Sequence, residues 1–159
     1  MNAIDLSSYI LDTTSKSDLE ITQMQLQKLL FLIELESFKR TGKSLIDENF
    51  SSFEHGPVIK ALYPYVAEKG SSPLKPFIEN VVLKDDSTKT IVDYIINKYA
   101  KYSASYLRNY THHFYSWKNH FQEIIPKEKI KEDAQIVNQA IQDSNEAYEK
   151  VNGIVNTEF

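Results

Sequence analysis

The sequence of 159 residues is 42% hydrophobic and 25% charged, which supplies the core of one globular domain and excludes a disordered chain. Cysteine is absent, which excludes disulfides, thiolate metal sites and cysteine nucleophiles, and suits a reducing cytoplasm. The formal net charge of -4 argues against nonspecific binding of nucleic acid, because the neutralisation of phosphates requires clustered lysine and arginine.

The sequence carries no targeting or membrane signal. The start, MNAIDLSSYILDTT, lacks the basic residues and the long apolar centre of a signal peptide. The longest apolar run, residues 29–33, is far too short to cross a membrane. We therefore expect a cytoplasmic protein without a membrane partner.

The first two predicted elements are helices. Residues 3–14 form the first, and a polar break follows. The second begins at Thr22, because Gln25 follows at the spacing of a capping box, in which each side chain satisfies a free backbone amide. Apolar residues after this cap cover most of the helix circumference, which indicates a central helix, and Gly42 ends it.

A short hairpin is predicted between Lys43 and His55, with a turn at residues 47–49. Gly56-Pro57 is predicted to start a third helix, because proline suits the first helical position. Pro64 is expected to kink this helix, and Gly70 to stop it.

The second half of the chain is predicted to be mostly helical. Residues 77–83 form either a strand or an irregular segment. Residues 85–87 cap a helix over 88–102, Ser103 caps a short helix that ends near Thr111, and Pro126 opens the last helix. The predicted fold is mainly α (α+β), a compact helical domain with a small β-hairpin between the second and third helices. Residues 1–152 form a single domain and residues 153–159 a frayed tail.

Three segments in this order resemble one family, the Panacea domain of SocA-like antitoxins. They are ITQMQLQKLLFL (21–32), FEHGPVIKALY (53–63) and SASYLRNYTHHFYSW (103–117), and IPKEKIKE (125–132) is similar to the family's step into its closing helix. The resemblance is strongest over residues 5–135. Phe53 stands where the family usually has tryptophan, and Ser116 where it usually has proline.

The resemblance implies a helical antitoxin from a prophage or another mobile element, which binds a protein toxin directly. Some family members deliver the toxin to a protease, so a proteolysis adaptor with a protease or unfoldase as second partner is one alternative. A DNA-binding regulator is another, and it would require a basic recognition helix. The sequence leaves the identity of the toxin and the oligomeric state open.

Two groups of residues are candidate chemical sites. His55-Gly56-Pro57 either exposes backbone amides to a phosphate or carboxylate or, as we favour, forms a tight structural turn. His112, His113 and His120 lack the spacing of zinc ligands, so we expect no metal. No nucleophile elbow occurs, and the acidic pairs at 85–86 and at 34 and 36 do not predict a shared site. We expect no enzyme activity and no cofactor.

Aromatic residues crowd the segment 99–117, and at least half of them are expected in the core. Tyrosine and tryptophan also suit protein interfaces, because they give large rigid contact areas. The sequence therefore predicts partner binding by residues of the Gly-Pro turn and of the aromatic segment. They are His55, Gly56, Pro57, Thr111, His112, Tyr115 and Trp117.

Overall fold

The computed structural model describes residues 1–112, 114, 120 and 123–136. The helices in these ranges are α1 (Ala3–Lys16), α2 (Gln23–Thr41), α3 (Tyr63–Val66), α4 (Asp86–Tyr99), α5 (Ala104–Thr111) and α6, which begins at residue 127 and is described to residue 136. The strands are β1 (Phe50–Phe53), β2 (Gly56–Val58) and β3 (Ile124–Ile125). The prediction of a mainly α fold with a small hairpin between α2 and α3 is confirmed.

Helix α2 runs through the centre of the domain. Every residue from 26 to 38 is buried, and the helix contacts α1, α4, α5 and the hairpin. The predicted capping box is present, since Thr22 accepts from the backbone of Gln25 and the Gln25 side chain accepts from the backbone of Thr22. Gly42 ends the helix in the left-handed conformation, with φ of 72°. Both local predictions are confirmed.

The turn of the hairpin lies at residues 54–55, later in the sequence than the predicted turn at residues 47–49. β1 pairs antiparallel with β2, with Phe53 opposite Gly56, so that Glu54 and His55 form the turn. Residues 47–49 do not form it. Asp47 instead forms an ion pair with the N-terminal amine at 2.9 Å, and Glu48 accepts a hydrogen bond from the backbone of Ala3. These two acidic residues hold the N-terminus in place through an ion pair and a hydrogen bond.

The prediction that Gly56-Pro57 starts a helix is wrong. Both residues belong to β2, because they pair with Phe53 and Ser52 across the hairpin. Gly56 has φ of 110°, which no helical residue adopts. A 3-10 turn, Lys60–Leu62, leads into the short helix α3. Pro64 lies in the first turn of α3 and does not kink a longer helix.

The second half follows the predicted capping pattern. Asp85 and Ser103 cap α4 and α5 as expected, through hydrogen bonds to Thr88 and Tyr106. Residues 77–83 have no helix or strand. Strand β3 was not predicted; it extends the sheet to the order β2-β1-β3, with β1 in the middle. No helix in the described part of the chain is long and apolar enough to span a membrane.

Candidate functional site around Lys28

A cavity of about 620 Å³ opens beside the hairpin, between the start of α2, the turn of the hairpin and the start of α5. Much of its wall is apolar, formed by Met24, Phe53, Val58, Tyr63 and Ala104. The remaining lining residues are Thr22, Gln23, Gln27, Lys28, Glu54, His55, Gly70 and Ser71.

Lys28 is the most deeply buried charged residue of this lining, with 1% of its surface exposed. Its ammonium donates to the backbone carbonyl of Pro57 at 3.0 Å. The side chain passes directly under Gly56: a Cβ at that position would lie 2.8 Å from Lys28 Cε and 3.1 Å from Thr111 Oγ1. Gly56 therefore serves two needs, a positive φ and close contact with a buried lysine.

The side chains that act electrostatically on Lys28 and on the neighbouring His112 are basic. Burial, and after it the charge of Arg108, lower the pKa of Lys28 to about 7. Burial also lowers the pKa of His112, and Arg108, Lys28 and His55 act in the same direction. One opposing influence on His112 is the backbone carbonyl of Glu54, which accepts a hydrogen bond from the imidazole. Two basic side chains, Lys28 and Arg108, therefore lie close together in a chain whose net charge is negative.

No carboxylate in the described ranges lies within ion-pair distance of Lys28 or Arg108. Glu54 belongs to the lining, but it is exposed to solvent. The Nε atom of Arg108 is buried without a hydrogen-bond partner in the described part of the structure. An anion brought by another molecule would therefore meet unused donors here.

The structure brings most of the predicted site residues together. His55 is exposed on the cavity wall, whereas Gly56, Pro57 and Thr111 are buried behind it. His112 ends α5 and is half-buried. Tyr115 and Trp117 lie outside the described residues. The alternative of an anion site formed by backbone amides at a helix start does not apply, since the Gly-Pro pair lies in a strand.

Lys28 is the residue that the sequence interpretation missed. It lies in the first family-like segment, QLQKLLFL, on a helix predicted to be covered on several sides. A lysine that must be buried has a functional or a packing reason, because burial disfavours its charge. That conflict between lysine and a fully covered helix was a signal available in the sequence.

The described aromatic residues of the segment 99–117 lie in the core or against it. Tyr99, Tyr110 and Phe114 are buried. The ring of Tyr110 contacts the rings of Tyr99 and Phe114, with 5.6 Å between the ring centroids in each pair. Tyr102 and Tyr106 stack at 4.2 Å and pack against the core. Three aromatic residues of the segment are therefore in the core and two pack against it, whereas Tyr115 and Trp117 lie outside the described residues.

The other candidate groups have separate structural partners. Glu34 forms an ion pair with Lys127, and Glu36 with Arg40 at 3.6 Å, so the two carboxylates do not share a site. In the described ranges no three His, Asp or Glu side chains are close enough to hold a metal, and His113 lies outside those ranges.

A known protein family matches most of the part of the chain that forms the cavity. The family model of the SocA-like antitoxin, Panacea domain, matches residues 26–118, which is more than half of the chain. The match contains Lys28, the hairpin and α5, the three parts that surround the cavity. No curated protein and no solved structure matches the chain significantly. The chain belongs to the SocA-like antitoxin family and carries its Panacea domain.

Proposed function

We propose that this protein is a cytoplasmic antitoxin that neutralises a protein toxin by direct binding, without a chemical step of its own. Family membership supports the antitoxin role. The observation that supports a binding site is the cavity, because all three family-like segments contribute to its wall or its support. A largely apolar cavity with a few polar groups is typical of a recognition site.

The contact surface that we propose consists of the cavity and its exposed rim. His55 lies on the rim, and Lys60 lies over the ring of Phe53 at 5.2 Å. The buried residues Gly56, Pro57, Thr111 and the half-buried His112 would act mainly by fixing the hairpin against α5. Tyr115 and Trp117 are proposed to extend the surface from the segment that follows α5.

Neutralisation would follow from occlusion. An apolar side chain of the toxin enters the cavity and buries its surface against Met24, Val58 and Tyr63. Each 100 Å² of apolar surface removed from water contributes roughly 2.5 kcal/mol before the costs of association. Because much of the cavity wall belongs to helices and a paired strand, little conformational entropy is lost there when the partner binds.

The test is co-expression of this chain with the toxic protein encoded by the neighbouring reading frame. We expect restored growth, a co-purifying complex and an unchanged amount of toxin in the cell. Restored growth with a falling amount of toxin would favour the proteolysis adaptor instead. Toxicity that persists, with no complex formed, would contradict the antitoxin proposal.

Val58→Asp tests the cavity. Val58 is half-buried in the cavity wall on β2, so a carboxylate there places charge where the partner's apolar group would pack. We expect at least a tenfold loss of toxin affinity, measured by titration of the purified proteins. The matched control is Val82→Asp, because Val82 is 73% exposed and is not part of this cavity. Equal affinities of the two variants would place the contact elsewhere.

A further inference from the structure

The cavity combines apolar walls with a buried ammonium that has donors to spare. A lysine ammonium has three N–H donors, and in the described structure Lys28 uses one of them, toward Pro57. Arg108 and His112 lie close enough to affect or be affected by its charge, and both are basic. Within the described part of the chain, no carboxylate forms an ion pair with Lys28 or Arg108.

An uncompensated buried ammonium is unfavourable, and hydrophobic residues of similar volume would cost less. Its presence at a cavity wall is therefore better explained by a charge that arrives with a partner than by the stability of the free domain. A carboxylate entering the cavity would restore the balance. Charge pairs that become fully desolvated on binding are among the contacts that most strongly set partner choice.

We infer that the toxin inserts an acidic side chain into this cavity, where its carboxylate pairs with the ammonium of Lys28 while neighbouring apolar residues pack on Met24 and Val58. This inference rests on the proposed antitoxin function and specifies the chemistry of the partner. Lys28 is the residue that binds the carboxylate. Arg108 adds a second positive charge from the side of α5.

A side chain fits this cavity better than a chain terminus. A terminal carboxylate brings its own peptide groups, which need hydrogen-bond partners when buried. Two side-chain amides belong to the lining, and both are engaged within the domain. Gln27 already bonds the backbone N–H and carbonyl of Ile59, at 2.8 and 3.2 Å, and Gln23 donates to the backbone carbonyl of Gly70 at 2.8 Å. Phosphate sites usually present several backbone N–H donors, and these walls are largely apolar.

The test uses random dodecapeptides displayed on phage and selected against the intact protein. We expect the selected sequences to share one Asp or Glu next to apolar residues. A synthetic peptide of this kind should lose at least about thirtyfold in affinity when its acid is replaced by the corresponding amide. Lys28→Met should lose a similar factor, and the amide peptide should lose nothing further on this variant.

Lys16→Met is the control, since it removes one lysine charge from α1, outside the cavity. It should bind the acidic peptide like the wild type, and circular dichroism should show that both variants are folded. Selection of no peptide, no preference for an acid, or equal binding by Lys28→Met would overturn the inference. So would a requirement for a free C-terminus in the selected peptides.

The antitoxin proposal is judged separately, by toxin neutralisation. If the wild type and Lys28→Met neutralise the neighbouring toxin equally, the function stands and the carboxylate inference falls. If the wild type does not neutralise the toxin, the function itself falls. If Lys28→Met no longer neutralises the toxin although circular dichroism shows that it is folded, both proposals stand.

Discussion

Lys28 shows how one buried residue affects stability and recognition in opposite directions. Its alkyl chain packs under Gly56 and its ammonium reaches Pro57, so the side chain helps to hold the hairpin on α2. Its charge, however, is disfavoured by burial and by Arg108. The free domain therefore carries an electrostatic cost that a partner's carboxylate would relieve.

This cost predicts a pH dependence of stability. In the unfolded chain Lys28 keeps its proton to about pH 10.5, whereas in the folded chain its pKa is about 7. Between these values the unfolded state binds more protons, so stability rises with pH; below pH 7 both states are protonated and the full penalty remains. The slope contributed by this lysine is at most about 1.4 kcal/mol per pH unit.

Urea unfolding of the wild type and Lys28→Met at pH 7, 8 and 9 measures this contribution. The free energy of unfolding of the wild type should rise relative to that of the variant over this range. A difference that stays constant with pH would contradict the lowered pKa.

Gly56→Ala should destabilise the protein by about 2 to 4 kcal/mol, because strain at a positive φ adds to the overlap with Lys28. The control is Gly42→Ala: Gly42 also has a positive φ but nothing within 4 Å, so we expect about 1 kcal/mol. In a Lys28→Ala background the cost of Gly56→Ala should shrink by about 1 kcal/mol. Additive free energies of unfolding would show that the two residues do not interact.

At the scale of elements, α2 organises the domain through its buried polar residues. Gln27 binds the backbone of Ile59 after β2, and Lys28 binds Pro57 within β2. On the next turns, the carboxylate of Glu34 accepts from Ser44 Oγ and the backbone of Leu45, each at 2.7 Å. These side chains fix the connections on both sides of the hairpin to one helix.

Glu34 also connects α6 to the core, and this connection is testable. The carboxylate is fully buried and pairs with Lys127, which donates to the backbone of Ile46 as well, at 2.9 Å. Lys127→Met should therefore lower the free energy of unfolding by about 2 kcal/mol, because a buried carboxylate loses its cation. Urea denaturation gives this value directly.

Lys129→Met is the matched control on α6. Its ion pair with Glu132 is about half exposed, and exposed pairs contribute little, so we expect a change within about 0.5 kcal/mol. Similar losses for the two lysines would show that the Glu34 pair does not connect α6 to the core.

The elements that could be predicted were those defined by local signals. The Thr22 capping box, Gly42 and the cap at Ser103 each depend on a few neighbouring residues, and all three are confirmed. The Gly-Pro pair was misassigned because its conformation is decided by pairing with Ser52 and Phe53, not by the proline alone. Strand β3 was missed because two residues carry no periodicity, and its partner β1 is far away in sequence.

The site was predicted in part for the same reason. His55, Gly56 and Thr111 were identified through short segments. In the structure His55 lines the cavity, and Gly56 lies close to both Thr111 and Lys28. What joins them is the side chain of Lys28, which comes from a third segment and whose depth depends on the whole packing of α2. Side-chain burial at that level is a property of the tertiary structure, so local spacing does not reveal it.

At the scale of the whole molecule, charge is distributed unevenly. The chain carries a net charge of -4, yet two basic side chains, Lys28 and Arg108, lie close together beside the hairpin. A domain that is negative overall repels acidic partners at long range, so an acidic contact inside the cavity would be made by a locally placed residue. Specificity would then come from the cavity and not from net attraction.

Binding of an acidic side chain should be coupled to proton uptake. At pH 8.5 most Lys28 is neutral in the free protein, since its pKa is about 7, and a paired carboxylate favours the charged form. The acidic dodecapeptide should therefore take up about one proton on binding at pH 8.5 and almost none at pH 5.5. Isothermal titration calorimetry in two buffers of different ionisation enthalpy measures this number.

The other groups that face Lys28 do not produce the same signal. They are Arg108 and His112 from α5, and Glu54 and His55 from the hairpin turn; burial lowers the pKa of His112, so it stays neutral at pH 8.5. The amide version of the peptide is the control and should take up no proton. The affinity for the acidic peptide should also fall as the pH rises above 7, because protonating Lys28 costs free energy there. Binding enthalpies that agree in both buffers at pH 8.5 would mean that the carboxylate does not meet Lys28.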